Sequence, residues 1–593
     1  MQKRKFLSLG ACLLIVALIA SLITGCAGGP SDGNGDGNGD GDDTPQYGGE
    51  LTLVVAADPT YFDDAIGPHY TTTGVQQCLW SGDWTKGNAG GYGTGECEWT
   101  VITNQLSHKT GYIAETYEIH DDYLIFNIRP GVKWHNKYPC NGREVTADDV
   151  VYSLERQMTL DTAYLKSSYP HVAAAMDVYK VDEDTVRVDC DSAQMPELIT
   201  LIDFMFIYPQ DAIELYGDMN DWERAIGTGA FTLEEYVEGS YLYYERNTDY
   251  WHTNPIGPGE GDELPYLDSV RYLIQADPAT QDSLFNTGQI DIIVANTERA
   301  QTLKDIPGVE YVSYTEAGSV LFMRLDQEGA PWTDVRVRQA MQLAIDNQQM
   351  LDELYSGDGE ILYWPVFPCA EIADAYVPLE DLDDDIIEVQ TDPPTEISVA
   401  DLFDYDLELA QELMDAAGYS EGFQAQVDVY NYYLYIDQMQ VVVNMLADIG
   451  IELELKPVDY ATYTVTWALG TYPEMLYAGM SGVGTYFKGI NWSGTSMFNT
   501  SNVDDEILND YRDQMLAAYP DEAAVNQIHV EMMPYLLEQC YGIQTVVFHY
   551  YTLWRSWVKN YSGEGGIGYY KSAVESGAQY LWIDQDLKED LGY

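Results

Sequence analysis

Side chains able to carry chemistry are scarce in this chain, and one stretch concentrates them. NIRPGVKWHN, residues 127–136, places Arg129, Lys133, Trp134 and His135 together in a chain with only 28 lysines and arginines and 8 histidines. His135 could serve as a general acid or base, and with Cys140 five residues on it could share a metal ion. Two ligands without partners are too few for such a site. The carboxylate pairs Asp121–Asp122 and Asp504–Asp505 could in principle do acid–base work. With 97 aspartates and glutamates, adjacent pairs are expected by chance, and the run Asp383–Asp385 reads as a solvated loop. The motifs GxSxG, HExxH and GxxxxGK[ST] do not occur. The segments GTGEC, GPGEGDE and GEGGIG lack the strand-then-helix context of a dinucleotide loop and read as turns. The expectation is therefore a protein that is not an enzyme, with no catalytic residue, no metal and no cofactor.

The elements around these residues belong to a large exported chain. Its 593 residues predict two or three lobes, and the 46% of apolar residues can fill their interiors. A formal charge of −69 repels phosphate backbones, which argues against nucleic acid and for neutral or cationic partners or a salty habitat. The 48 tyrosines and 13 tryptophans suit amphipathic ligands. Residues 1–25 have a basic start, Lys3-Arg4-Lys5, and an apolar run from Phe6 to Ile23, as a signal peptide does. The ending Ile23-Thr24-Gly25-Cys26 resembles the lipobox of bacterial lipoproteins, which implies cleavage before Cys26 and its lipidation. Residues 26–47 then form a lipidated cysteine and a Gly/Asn/Asp tether. Asp32, Asn34, Asp36, Gly37 and Asp43 approach calcium-loop spacing, but no helix-forming sequence follows, so the tract reads as a spacer. Six cysteines remain beyond it: Cys78, Cys97, Cys140, Cys190, Cys369 and Cys540. They permit fifteen disulfide connectivities, with Cys78–Cys97 across a Gly-rich loop the favoured bridge.

Further along, GGELTLVVAADP begins with alternation and reads as a core strand, and Tyr117–Arg129 as two strands around an HDD turn. Thr146 opens a helix with Asp149 three residues on, close to a capping box. Asp334 caps VRVRQAMQLAID, whose Val337, Ala340, Met341, Ala344 and Ile345 form one apolar stripe. A helix carrying Ala410, Leu413, Met414 and Ala417 stops at Gly418. Another, from Gln438 to Ile449, stops at Gly450 before the alternating strand IELEL. Helices alternating with short strands predict α/β lobes.

Read together, YLIFNIRPGVKWHN and REVTADDVVYSLER resemble a signature of the extracytoplasmic solute-binding proteins of ABC transporters, family 5, the dipeptide, oligopeptide and nickel binders. More landmarks of the family follow in order: GGELTLVVAADPTYFD, IGTGAFTLEEYVEGSYLYYERNTDYW, FNTGQIDI, PWTDVRVRQAMQLAID, YDLELAQELMDAAGYSEGF and SNVDDEILNDYRDQM. The resemblance covers nearly all of residues 48–558. It implies a type II periplasmic-binding-protein fold, two α/β lobes around a ligand cleft with an extra domain inserted in lobe one. Lobe one would be 48–80, 225–315 and 548–593, the inserted domain 81–224, and lobe two 316–547. The implied protein captures a solute by lobe closure and performs no bond chemistry, and His135 becomes a marker of the fold.

The resemblance also directs attention to a loop. Peptide binders of the family carry an Asp in lobe two, in a Gly-flanked stretch, that pairs with the peptide's α-ammonium. The corresponding segment here is YAGMSGVGTYFKGINW, with Val483 between Gly482 and Gly484 at the Asp position. A buried ammonium opposite valine lacks its counter-charge. Tyr486, Phe487, Asn491 and Trp492 nearby suit stacking and hydrogen bonding. The implied ligand is an oligopeptide or similar medium-sized organic solute, with an oligosaccharide as the alternative. The implied partners are the permease subunits of an ABC importer and, through Cys26, the membrane, with the protein a monomer at the outer face of the cytoplasmic membrane. A secreted hydrolase, or a chemosensory or structural surface module reusing the fold, are the readings of another class.

Overall fold

The computed structural model describes residues 44–66, 74–100, 105–315, 318–363, 368–468, 470–480, 499–568 and 577–593. They form two compact units, one from the chain up to Tyr314 together with Tyr550–Tyr593, the other Thr315–His549. The chain thus passes between the units twice, at 314/315 and at 549/550.

In the first unit the strand Glu50–Val55 alternates, burying Leu51, Leu53 and Val55. It pairs in parallel with Ser269–Ile274, which continues antiparallel to Tyr241–Arg246 and then Phe231–Val237. Trp84, Trp99, Trp554, Trp557 and Trp582 share the core that covers this sheet. The segment 81–224 lies within this unit. It contains an antiparallel sheet in the order Ala114–Ile119, Tyr123–Ile128, Thr185–Cys190, Met176–Lys180. Against it packs the helix Ala147–Thr159. Thr146 and Asp149 make a full capping box at its start, and Asp149 also takes two nitrogens of Arg143 at 2.7 Å each. Capping and burying the same carboxylate fixes where the helix begins.

The second unit is built on a five-stranded sheet in the order Ile451–Val458, Phe423–Tyr430, Met475–Met480, Gly318–Met323, Gly542–Gln544. The first three strands run parallel, and the last two join antiparallel. Helix ends follow the sequence closely: Asp334 accepts from the Arg336 amide, and Gly418 and Gly450 take φ of 86° and 80° after their helices. Asp504–Asp505 is a helix start, with Asp505 accepting from the amides of Ile507 and Leu508 and from the hydroxyls of Tyr535 and Tyr541.

The expected Cys78–Cys97 bridge is not formed. All six described cysteines are buried thiols. Cys78 donates to the Asp203 carbonyl at 3.1 Å beside the buried Lys109–Asp203 pair, whereas Cys97 packs in the tryptophan core. The two occupy different interiors. Burial also pushes the Cys140, Cys190 and Cys540 thiols up to about 12, which leaves them unreactive.

Candidate functional site

The segment that opened the sequence as a catalytic prospect is an anchor. His135 is 1% exposed, its Nε2 lies 3.0 Å from the Gly229 carbonyl, and its Nδ1 accepts from the Gly227 amide at 3.3 Å. With both nitrogens engaged in this way the ring is a neutral tautomer, and burial lowers its pKa to about 4. No second ligand joins it, and among the described residues no group of three or more His, Cys, Asp or Glu side chains is arranged to hold a metal. The glycines it reads are dictated by space: a Cβ at Gly227 would meet the Val75 carbonyl oxygen at 1.9 Å, and one at Gly229 the Gly74 oxygen at 2.1 Å.

Two signature segments meet here. Arg129 donates to the Tyr112 carbonyl at 2.9 Å and stacks on Trp251 at 4.7 Å. Gln77 then ties the middle signature to the start of the chain. It donates to Tyr250 Oη at 2.9 Å and accepts from Thr228 Oγ1 at 2.8 Å and Trp251 Nε1 at 3.1 Å. Tyr250 in turn donates to Gln579 Oε1 at 2.5 Å. A buried network with its partners supplied holds segments far apart in sequence in one arrangement. These residues therefore position the unit.

The surface best suited to a ligand lies in the second unit. Tyr430, Val458 and Met480 end its three parallel strands, and the carboxyl ends of such strands are where α/β sheets bind ligands. Tyrosines gather there. The Tyr430 ring centroid is 5.1 Å from that of Tyr460, 5.5 Å from Tyr463 and 5.9 Å from Tyr432. Tyr435 continues the group, 5.8 Å from Tyr432 and 6.3 Å from Tyr477. Tyr435 lies against the strand at Gly479, where a Cβ would be 2.2 Å from its hydroxyl. Tyr430, Tyr432, Tyr435 and Tyr460 are half-buried. Burial raises the pKa of Tyr430, Tyr460 and Tyr463, so these hydroxyls stay neutral donors and acceptors. Beneath them Tyr477 is fully buried and bonded to Gln438 Oε1 at 3.1 Å and Thr545 Oγ1 at 2.8 Å, a fixed floor.

The strand Met475–Met480 delivers the chain to the loop picked out by resemblance. Gly482, Val483, Gly484, Tyr486, Phe487, Asn491 and Trp492 lie outside the described residues, as does Cys26. The tyrosine group was missed in the sequence, although NYYLY (431–435) and DYATY (459–463) repeat tyrosine at close spacing.

A second ionic feature stands where the chain leaves this unit. His549 Nδ1 is 2.7 Å from Asp358 and its Nε2 is 3.0 Å from Glu360, which also accepts from Thr315 Oγ1 at 2.9 Å. Burial alone would lower the histidine, but the two carboxylates raise it to about 9, so it is an imidazolium at neutral pH.

Comparison with known proteins agrees with this architecture. Residues 110–496 match the family described as bacterial extracellular solute-binding proteins, family 5 middle. The heme-binding protein A of Haemophilus influenzae is 28% identical over 333 residues, 53% of this chain and 54% of that protein, so the match spans about half its length. The oligopeptide-binding protein AppA of Bacillus subtilis is 21% identical over 465 residues, 72% of this chain and 75% of that one. Among solved structures, the periplasmic binding protein DppA of Helicobacter pylori in complex with the peptide STSA superposes with a TM-score of 0.68 at 18% identity. It covers 91% of this chain and 99% of its own. The fold is that of the type II periplasmic binding proteins, and the chain belongs to the bacterial extracellular solute-binding proteins of family 5.

Proposed function

We propose that the protein is a lipid-anchored receptor outside the cytoplasm that captures an oligopeptide, or a similar medium-sized organic solute, and delivers it to an ABC importer. The observation that carries this reading is the half-buried tyrosine group at the carboxyl ends of the parallel strands. It offers stacking surface and neutral hydroxyls, as a ligand of mixed polarity requires. Relatives named for oligopeptide and heme binding, and a structural neighbour holding a tetrapeptide, support the class of solute. Gly482, Val483, Gly484, Tyr486, Phe487, Asn491 and Trp492, on the loop after Met475–Met480, are the further contacts in this reading. Cys26 is its lipid attachment point. Among the described residues no helix is long and apolar enough to cross a membrane.

An oligosaccharide is the second reading, favoured by the same neutral tyrosines and by valine at 483. Native mass spectrometry of the protein purified without its signal peptide, followed by thermal-shift assays with peptide and oligosaccharide pools, tests both. A co-purified or added peptide that raises the melting temperature is the expected result. A shift with oligosaccharides alone selects the second reading, and no bound solute with no shift from either pool overturns the receptor.

A further inference from the structure

The tyrosine group of the second unit carries no charge in a chain crowded with it. Its rings come from the strand Phe423–Tyr430 and from the starts of the helices Tyr433–Ala447 and Tyr460–Ala468. Three acids are close in sequence. Asp428 stands opposite Lys456 in the strand register, and Lys456 lowers its pKa against the rise that burial brings. Asp437 is exposed on its helix, and Asp459 accepts from the Thr462 amide at 3.1 Å and the Thr462 hydroxyl at 2.7 Å. Burial and neighbouring tyrosines raise the pKa values in the group, and among the described residues no charged side chain takes part in the titration of Tyr430, Tyr460 or Tyr463. The sequence runs the same way. Residues 475–503, which supply the strand under the group and the loop after it, hold no acid and one base, Lys488.

The rings face more than one way. Tyr430 and Tyr432 lie 14° from parallel, Tyr430 and Tyr460 are tilted by 56°, and Tyr432 and Tyr435 stand at 68°. Aromatic pairs favour offset stacking or edge-to-face contact, and a ring laid on this group finds faces for the one and edges for the other. Charge decides what else the group could take. A cation would give up its water for rings alone. An anion would meet the field of a chain with a formal charge of −69. An aromatic side chain loses little on leaving water and gains both buried area and ring contacts, whereas an aliphatic one gains the area only.

We propose that Tyr430, Tyr432, Tyr435 and Tyr460 receive an uncharged aromatic ring of the solute, whether a peptide side chain or the aryl group of a glycoside. The proposal rests on the receptor reading and narrows it to solutes that carry such a ring. All four tyrosines belong to the second unit, so the ring is read within it.

The test uses titration calorimetry on the protein purified without its signal peptide. One arm takes three tetrapeptide pools that differ at a single position, held by phenylalanine, leucine or lysine. The other takes phenyl and methyl β-cellobioside. We expect the wild type to bind the aromatic member at least about fivefold more tightly in one arm, and Tyr432→Leu and Tyr460→Leu to reduce that preference to within about twofold. Tyr432→Phe and Tyr460→Phe retain the ring and should retain the preference, whatever their hydroxyls add to the affinity of every pool. If peptides fail but phenyl cellobioside binds with this dependence, the peptide reading falls and the ring site stands. If the phenylalanine and leucine pools bind alike, or the lysine pool binds most tightly, the ring site falls and the receptor stands. Loss of the preference in the phenylalanine variants would mean that hydroxyls rather than rings read the solute, and overturns the assignment. A wild-type protein that favours the aromatic member in neither arm overturns it too, even if the leucine variants do not fold.

Discussion

Two carboxylates in the first unit are buried alike and surrounded differently. Asp291, from the signature FNTGQIDI, is 1% exposed, and Glu564 is 2% exposed. Asp291 accepts from Trp557 Nε1 and from the Thr52 amide at 2.7 Å each, with Lys588 at 3.4 Å. Through these contacts one side chain joins the first strand of the unit to its last helix, Gln585–Asp590. Burial raises its pKa, and Lys588 and the two donors hold it back. Glu564 has one amide on Oε2, and among the described residues Oε1 has no hydrogen-bond partner. Among the described residues the first carboxylate has three donors that tie the fold together, and the second has one amide and is disfavoured when charged.

The sharpest break of this comparison is Asp291→Ala. It strands the Trp557 and Thr52 donors and leaves Lys588 without its partner, so urea unfolding should show a loss of about 3 kcal/mol at pH 7. Glu564→Gln should move the other way. A folded pKa raised from 4.5 to about 7 means that the folded state resists ionisation, so stability is complete below pH 4.5 and is lost as pH rises through about 7. Removing the charge therefore stabilises the protein by about 1–2 kcal/mol at pH 8 and lowers its stability by about 1–2 kcal/mol at pH 4.5, where the folded carboxyl is already neutral. The figure is below the full shift because the new amide also lacks partners. If both substitutions lower stability at pH 8 by similar amounts, the contrast between the two sites is wrong.

How far each site could be read from the sequence follows from the same physics. The caps at Thr146, Asp334 and Gly418 were legible because capping is a matter of three or four neighbouring residues. The α/β class followed from helix and strand periods, and the family from ordered motifs. His135 could be demoted through its neighbours, but its grip on Gly227 and Gly229 spans more than ninety residues and no local pattern contains it. The tyrosine group draws on strand ends near 430 and 477 and helices starting near 433 and 460, so only the sheet order brings it together. The Cys78–Cys97 bridge was inferred from spacing around a loop, and spacing does not say which interior each thiol enters. GEGGIG read as a turn; its backbone bends without a hydrogen-bonded turn, and its composition is silent about the carboxyl of Glu564.

The smallest effect concerns two histidines that invert the lesson of the acids. His135 is neutral because burial disfavours its charged form and, among the described residues, the groups bonded to its ring are backbone ones. His549 is charged because Asp358 and Glu360 bracket it. Their contributions to stability therefore run in opposite directions with pH. The folded pKa of His135 lies below 6.5, so its contribution is lost as pH falls from 6.5 through about 4. That of His549 lies above 6.5, so its contribution is full below 6.5 and is lost as pH rises through about 9. His549→Gln should accordingly cost about 1 kcal/mol at pH 7, where the imidazolium and both carboxylates are charged, and nothing further at pH 10. Because Glu360 also accepts from Thr315, the loss should be felt at both ends of the second unit, Thr315 and His549. Hydrogen exchange at pH 7 should then show faster exchange in the variant at Glu360 and Val547, which pair across the strands there. Equal destabilisation at pH 7 and pH 10 would mean that His549 packs rather than pairs.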